Sequence, residues 1–202
     1  MSRQQYYEEL KELAREKRAQ YAVDTARFGL SDVRKIYKQE TIRLDYWPLP
    51  RRIKALYMCD DNDCSVAVQR ALPDEPKLFA LVHELKHHYR DRDALGAQVI
   101  ACGDYNRNEV IEIGAEIFAA EFIYPEAEFI ADTQSLNFDE WNADNVVHFK
   151  RNACKAKVSY TFICKRLEFA NLIMRGQLAG TKFQKREEEL YGVPFYKRRR
   201  SS

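Results

Sequence analysis

His83, Glu84 and His87 spell H-E-x-x-H inside the stretch Lys77 to Arg90. On an α-helix, residues four apart stand one above the other on one face, so both imidazoles can reach a single metal ion. Glu84, beside the first of them, can meet a water on that ion. Three of the chain's four histidines fall within the six residues from His83 to His88. Two neutral imidazoles suit Zn2+, and a catalytic zinc takes a third protein ligand while keeping one position for water. Zinc held in this way brings its bound water to a pKa near ~7 and polarises a carbonyl oxygen. Glu84 then has the place of a general base, taking the water's proton and passing it to a leaving amine. His88 lies about 100° around the helix from His87, which removes it from the same ion and leaves it a packed or outer histidine.

The third ligand is sought on a second strong helix, roughly Asn108 to Ile123 and stopped by Pro125, which carries Glu109, Glu112 and Glu116. Glu112, Ala115, Glu116 and Ala119 share a face whose small alanines allow close packing on the histidine helix. A glutamate turned inward there needs a cation to offset its burial. All three glutamates stay open on this ground alone. An oxyanion donor is also expected, and Tyr89, Tyr105, Tyr124 and His148 are all chemically able.

The elements that must position these residues are legible in outline. Gln4 to Ala22 has Tyr6, Tyr7, Leu10, Leu13 and Ala14 at helical spacing, and a second helix follows with Ser31 as its expected cap and Val33, Ile36 and Tyr37 inward. Ile42 to Tyr46 alternates as a strand, broken by Pro48 and Pro50. Ile53 to Cys59 and Ser65 to Ala71 read as two arms of a hairpin whose tip is Asp61-Asn62-Asp63. Pro73-Asp74-Glu75-Pro76 supplies a stop, a cap and a first-turn proline for the histidine helix, which continues with Leu78, Phe79, Leu81, Val82 and Leu85 on an apolar face. A connection through Gly96 and Gly103 leads to the glutamate helix. Beyond Pro125 the chain reads as short helices around Phe129 and Ile130, around Trp141, Val146, Val147 and Phe149, and from Ser159 through Phe162, Ile163, Leu167 and Phe169.

A chain of 202 residues with net charge +2 is long enough for a real core and is no polyanion binder as a whole. From Phe138 onward there are 14 Lys and Arg against 7 Asp and Glu, so the basic charge collects in the C-terminal part. A helix, the turn Cys154 to Lys157 and a helix starting at Ser159 are similar to a helix-turn-helix, with Lys150, Arg151, Lys155, Lys157, Lys165 and Arg166 around it. The turn lacks the glycine common in such units and no base-reading Asn or Gln follows Ser159, so a protein partner is favoured over nucleic acid. The tail Lys197 to Arg200 reads as a loose end. Five cysteines, Cys59, Cys64, Cys102, Cys154 and Cys164, odd in number and scattered, with no apolar leader and no run long enough to span a membrane, argue for a reducing cytoplasm rather than secretion. The acidic loop between Cys59 and Cys64 suits a hairpin better than a metal site, because no second cysteine pair completes a zinc set.

His83-Glu-Leu-Lys-His87-His88, followed by Glu112-Ile-Gly-Ala115-Glu-Ile-Phe118-Ala119-Ala120 and on to Pro125, resembles the ImmA/IrrE family of zinc metallopeptidases, whose second helix reads approximately E-x-x-A-x-x-F-A-x-x-L-L-x-P. The likeness covers Ile53 to Pro125 well and the flanks poorly, with Gly114 and the Phe-Ile-Tyr run departing from the usual pattern. It implies a gluzincin-like site: one Zn2+ held by His83, His87 and Glu112, with Glu84 as base and Glu109 as the fallback ligand. A ligand histidine usually passes its other N–H to an outer acceptor, and Glu116, one turn beyond Glu112, is placed to be that partner. It implies an α+β fold, a zincin-like catalytic core in which a small antiparallel three-stranded sheet packs on the H-E-x-x-H helix beside a second ligand-bearing helix. The expected organisation is N-terminal helices over 1–40, the metallopeptidase core over 41–133 and a basic helical region over 134–202. The family's typical target is a DNA-binding repressor, often encoded beside the protease on a mobile element, so the expected activity is cleavage of a regulatory protein. The alternative is a zinc-stabilised regulatory or partner-binding module without peptidase activity.

Overall fold

A computed structural model describes residues 2–92, 100–101 and 105–193. The chain divides into two compact units, Met1–Glu126 and Ala127–Ser202. In the first, α1 (Arg3–Gln20) starts from a capping box in which Ser2 and Gln5 each accept the other's main-chain N–H. Helix α2 (Leu30–Gln39) begins at Gly29, whose N–H donates to the Asp32 carboxylate, so its cap lies two residues before the Ser31 expected from the sequence. Strands β1 (Arg43–Trp47), β2 (Ala55–Asp60) and β3 (Asp63–Gln69) follow, then α3 (Asp74–Lys86), a π-helical turn His87–Asp91, the short β4 (Ile100–Ala101) and α4 (Tyr105–Ile123).

The fold is α+β, as expected, but the sheet is mixed rather than antiparallel. Its order is β1-β3-β2-β4. Strands β2 and β3 form the expected hairpin, turned by Asp61 and Asn62 at φ 45° and 69°, the pair of positive values that a two-residue type I′ turn needs. Strand β1 pairs parallel to β3, from Arg43 opposite Ser65 to Trp47 opposite Gln69. The physical reason is that β3 inserts between β1 and β2; β1 runs opposite to β2 and therefore alongside β3. Alternation marks a strand but does not name its neighbour. Beyond the three full strands, β4 adds two residues against Leu56 and Tyr57.

The hairpin also carries a disulfide that the sequence reading did not anticipate. Cys59 and Cys64 oppose one another across the strands, with Cα atoms 4.0 Å apart, and are joined as a disulfide. Cys154 and Cys164 are free, and Cys102 lies outside the described residues. Scattered spacing concealed a pair that only the strand register brings together.

Helix α3 is the hub of this unit. It packs against β2, β3, α2 and α4, while α1 lies along α4. Leu78, Ala80, Leu81, Val82 and Leu85 of α3 are almost wholly buried, facing a core that includes Tyr57, Val66 and Val68 of the sheet and Ala115, Phe118, Ala119 and Phe122 of α4. Because β3 is central, six of its seven residues are buried, which erases the simple alternation of a half-exposed strand. Tyr37 of α2 donates its hydroxyl to the Leu81 carbonyl at 2.8 Å and so pins α2 to the middle of α3. Gly114 explains how α1 comes so close to α4: a Cβ there would stand 2.7 Å from Leu10 Cδ1 and 3.0 Å from Tyr6 Cε1.

The second unit contains α5 (Glu126–Gln134), α6 (Ala143–Asn152), α7 (Tyr160–Phe169) and α8 (Phe183–Tyr191), the first of these beginning one residue before the division. Asn142 caps α6 and Ser159 caps α7 through side-chain acceptors. Phe129, Trp141 and Phe149 meet edge to face in its core. The basic residues are largely engaged within the unit. Lys155 pairs with Asp132 at 2.5 Å, Arg151 with Glu187 at 3.3 Å, Lys150 donates to the Val158 carbonyl, and the buried Arg166 lies over the Phe129 ring. Gly96, Gly103 and the tail Lys197 to Arg200 lie outside the described residues.

Candidate metal centre

The histidine pair works as the spacing requires. One helical turn apart, His83 on α3 and His87 at the start of the π-helical turn that continues it bring their Nε2 atoms to 3.3 Å. Glu112, from α4, places Oε2 3.4 Å from His83 Nε2 and Oε1 3.5 Å from His87 Nε2. A tetrahedral ion with bonds of about 2.0–2.1 Å sets its ligand atoms roughly 3.3–3.4 Å apart, so this triangle has the dimensions of three corners of such a site. All three side chains are buried to within 1% of full exclusion from solvent. Among the described residues they are the one group of His, Cys, Asp and Glu whose donor atoms converge in this way.

The electrostatics describe a site made for a cation. Burial pushes the His83 imidazole down, against the pull of Glu112, and so favours its neutral form. Burial also opposes charge on His87, but hydrogen bonds with Asp91 and then Glu112 outweigh it and push that ring up to about 9. Glu112, although buried, is held down at about 2 by its bonds with the two histidines. One carboxylate and two imidazoles are thus packed where a proton, or a metal ion in its place, must offset the charge.

Glu84 is fully buried beside His83, and its charge bears on His87. Glu109 is exposed on α4, which removes the fallback ligand. Glu116 is half-buried and its charge bears on His83; the acceptor next to His87 is Asp91, whose Oδ2 lies 2.7 Å from His87 Nδ1. A proton donated from Nδ1 to that carboxylate leaves the Nε2 lone pair facing the metal position. Sequence reasoning missed Asp91, which sits at the end of the π-helical turn. It also passed over Lys86, buried and bonded to the same Asp91 oxygen at 2.7 Å.

His88 is a packed histidine. Its Nδ1 lies 3.1 Å from the Tyr57 hydroxyl and its Nε2 3.5 Å from Glu40. Of the expected oxyanion donors, Tyr89 spends its hydroxyl on Tyr21 at 3.2 Å and Tyr124 is fully buried at the end of α4. His148 is exposed in the second unit, 2.8 Å from the Tyr191 hydroxyl. The Tyr105 side chain lies outside the described residues. Among the described contacts, Tyr89 is not brought together with the donor triangle.

An α+β unit whose H-E-x-x-H helix and a second, carboxylate-bearing helix aim three donors at one buried point defines a metallopeptidase-type class. The chain belongs to the ImmA/IrrE family: the family model Peptidase_M78, described as the IrrE N-terminal-like domain, matches residues 35–168. No curated protein matches it.

Proposed function

We propose that the protein is a zinc-dependent endopeptidase that cleaves a regulatory protein, such as a helix-turn-helix repressor, at a specific site in the cytoplasm. The observation that carries the reading is the buried triangle of donors 3.3–3.5 Å apart, with a buried Glu84 whose charge bears on His87. His83 and His87 offer their Nε2 atoms, His87 by giving up the proton it holds in the metal-free protein, and Glu112 contributes one negative charge, a set that fits one Zn2+. The bound ion supplies a water acidic enough to react near neutral pH and an electrophile for the peptide oxygen. Glu84 holds and moves the proton, taking it from the attacking water and delivering it to the leaving amine. Asp91 orients His87 and keeps its tautomer fixed. A site that only stabilised the fold is ordinarily closed by four protein ligands, whereas three are present among the described residues.

The test is Glu84→Gln in the full chain. Metal content should equal that of the parent, while hydrolysis falls by about 10²–10⁴-fold, the usual worth of a positioned base. New protein N-termini in a cell lysate are the readout. Identical profiles from parent and variant would reject the peptidase.

The partner we assign is a protein, in line with the family's typical targets. The engagement of Lys150, Arg151, Lys155 and Arg166 within their own unit supports this choice over duplex DNA. Fluorescence anisotropy with random duplex at low salt should show no tight complex. Binding that weakens steeply with salt, with a slope lowered by about one for each lysine removed, would reverse the assignment.

A further inference from the structure

Lys86 lies one residue before His87 and is fully buried, a position an ammonium group takes only when it is paired. Its Nζ donates in two directions. One bond goes to Asp91 Oδ2 at 2.7 Å, the oxygen that also takes the His87 Nδ1 bond at 2.7 Å. The other goes to the main-chain carbonyl of Ile111 at 3.2 Å, and Ile111 immediately precedes Glu112 on α4. The Tyr6 ring of α1 stands 5.7 Å from the same Nζ and closes this position with an aromatic face. One cation therefore touches the group that orients the second histidine and the peptide next to the third ligand, on two different helices.

We propose that Lys86 is a positioning residue of the metal centre, which fixes α3 against α4 at the level of the ligands and holds Asp91 in place as the partner of His87. The inference rests on the reading of His83, His87 and Glu112 as metal ligands. Its physical basis is that donor atoms from two helices stay 3.4 and 3.5 Å apart only if the helices neither slide nor separate. The apolar contacts of Ala115 and Ala119 permit close approach but do not specify register along the axis. Two hydrogen bonds from a single nitrogen do. A purely structural salt bridge would act differently: its loss would lower stability and leave the affinity of each folded molecule for metal unchanged.

Zn2+ affinity by chelator competition and the visible spectrum of the Co2+ form distinguish the two, measured on full-length Lys86→Met, Asp91→Asn and the double variant after circular dichroism has confirmed folding. Lys86→Met should bind Zn2+ about 10–100-fold more weakly, the usual effect of removing an outer partner, with displaced Co2+ bands. In the double variant the loss should exceed that of Asp91→Asn alone yet fall short of the product of the two single losses, because Lys86 acts partly through Asp91. Should Lys86→Met not fold, the double variant, which removes both buried charges together, is compared with Asp91→Asn alone. Equal affinity in that comparison, or a folded Lys86→Met that binds Zn2+ within about twofold of the parent with unchanged Co2+ bands, overturns the role of Lys86. A parent protein that binds no Zn2+ overturns the metal centre and this inference with it, a result separable from the others.

Discussion

His87 keeps a proton up to about 9 in the metal-free protein because Asp91 and Glu112 flank it, so at neutral pH the ring is an imidazolium. A metal ion and that proton compete for Nε2. Burial favours the neutral form of His83, and Glu112, held at about 2, is ionised at pH 7. Each ion taken up near neutrality should therefore release about one proton, and apparent affinity should climb roughly tenfold per pH unit until it levels off near the His87 value. Calorimetric titration in buffers of differing ionisation enthalpy measures the release. A count of zero at pH 7 would show that His87 is already neutral and that the Asp91 bond does not raise it. The H-E-x-x-H spacing exposed this chemistry in the sequence because residues four apart meet by local geometry alone. Glu112 needed the likeness to a known second helix, since three glutamates on α4 were equivalent by type. Asp91 was hidden by the run Arg90-Asp91-Arg92-Asp93, which reads as ordinary solvated charge, and by the π-helical turn that carries it, for which no local signal exists.

Helices α1 and α4 meet through Gly114, and the contact reaches the site because Glu112 stands two residues earlier on the same helix. A side chain at Gly114 must displace Leu10, which is itself buried, so Gly114→Val should cost about 1–3 kcal/mol of stability through overpacking. Alanine is the milder probe, because its gain in helix propensity of up to ~1 kcal/mol offsets part of the clash. Urea denaturation monitored by circular dichroism gives both numbers. A valine variant as stable as the parent would mean that α1 packs loosely on α4. Elements with an apolar stripe, such as α1 through Leu10 and Ala14, were readable from periodicity. Helix α8 was not, since none of its residues is buried and it offers no stripe to find. The parallel pairing of β1 was beyond reach for another reason: alternation along a strand does not say which strand lies beside it.

The donors come from α3, the π-helical turn that continues it and α4, so a bound ion would link elements of the first unit. Binding to the folded form alone adds about 4 kcal/mol at a thousandfold excess over Kd, and a chain of this size shifts its melting point by about 2–4 °C per kcal/mol, giving a drop of roughly 8–16 °C on chelation. Differential scanning calorimetry of the full chain should show that shift in the transition of the first unit only. An unmoved thermogram would mean that the triangle does not bind metal tightly, and movement of every transition would mean that the units melt as one. His83, Glu84, His87, Asp91 and Glu112 all fall within residues 83–112, and Lys86 with them. The reactive apparatus is thus inherited as one uninterrupted block of the gene. An exchange of everything after Glu126 would leave that block whole.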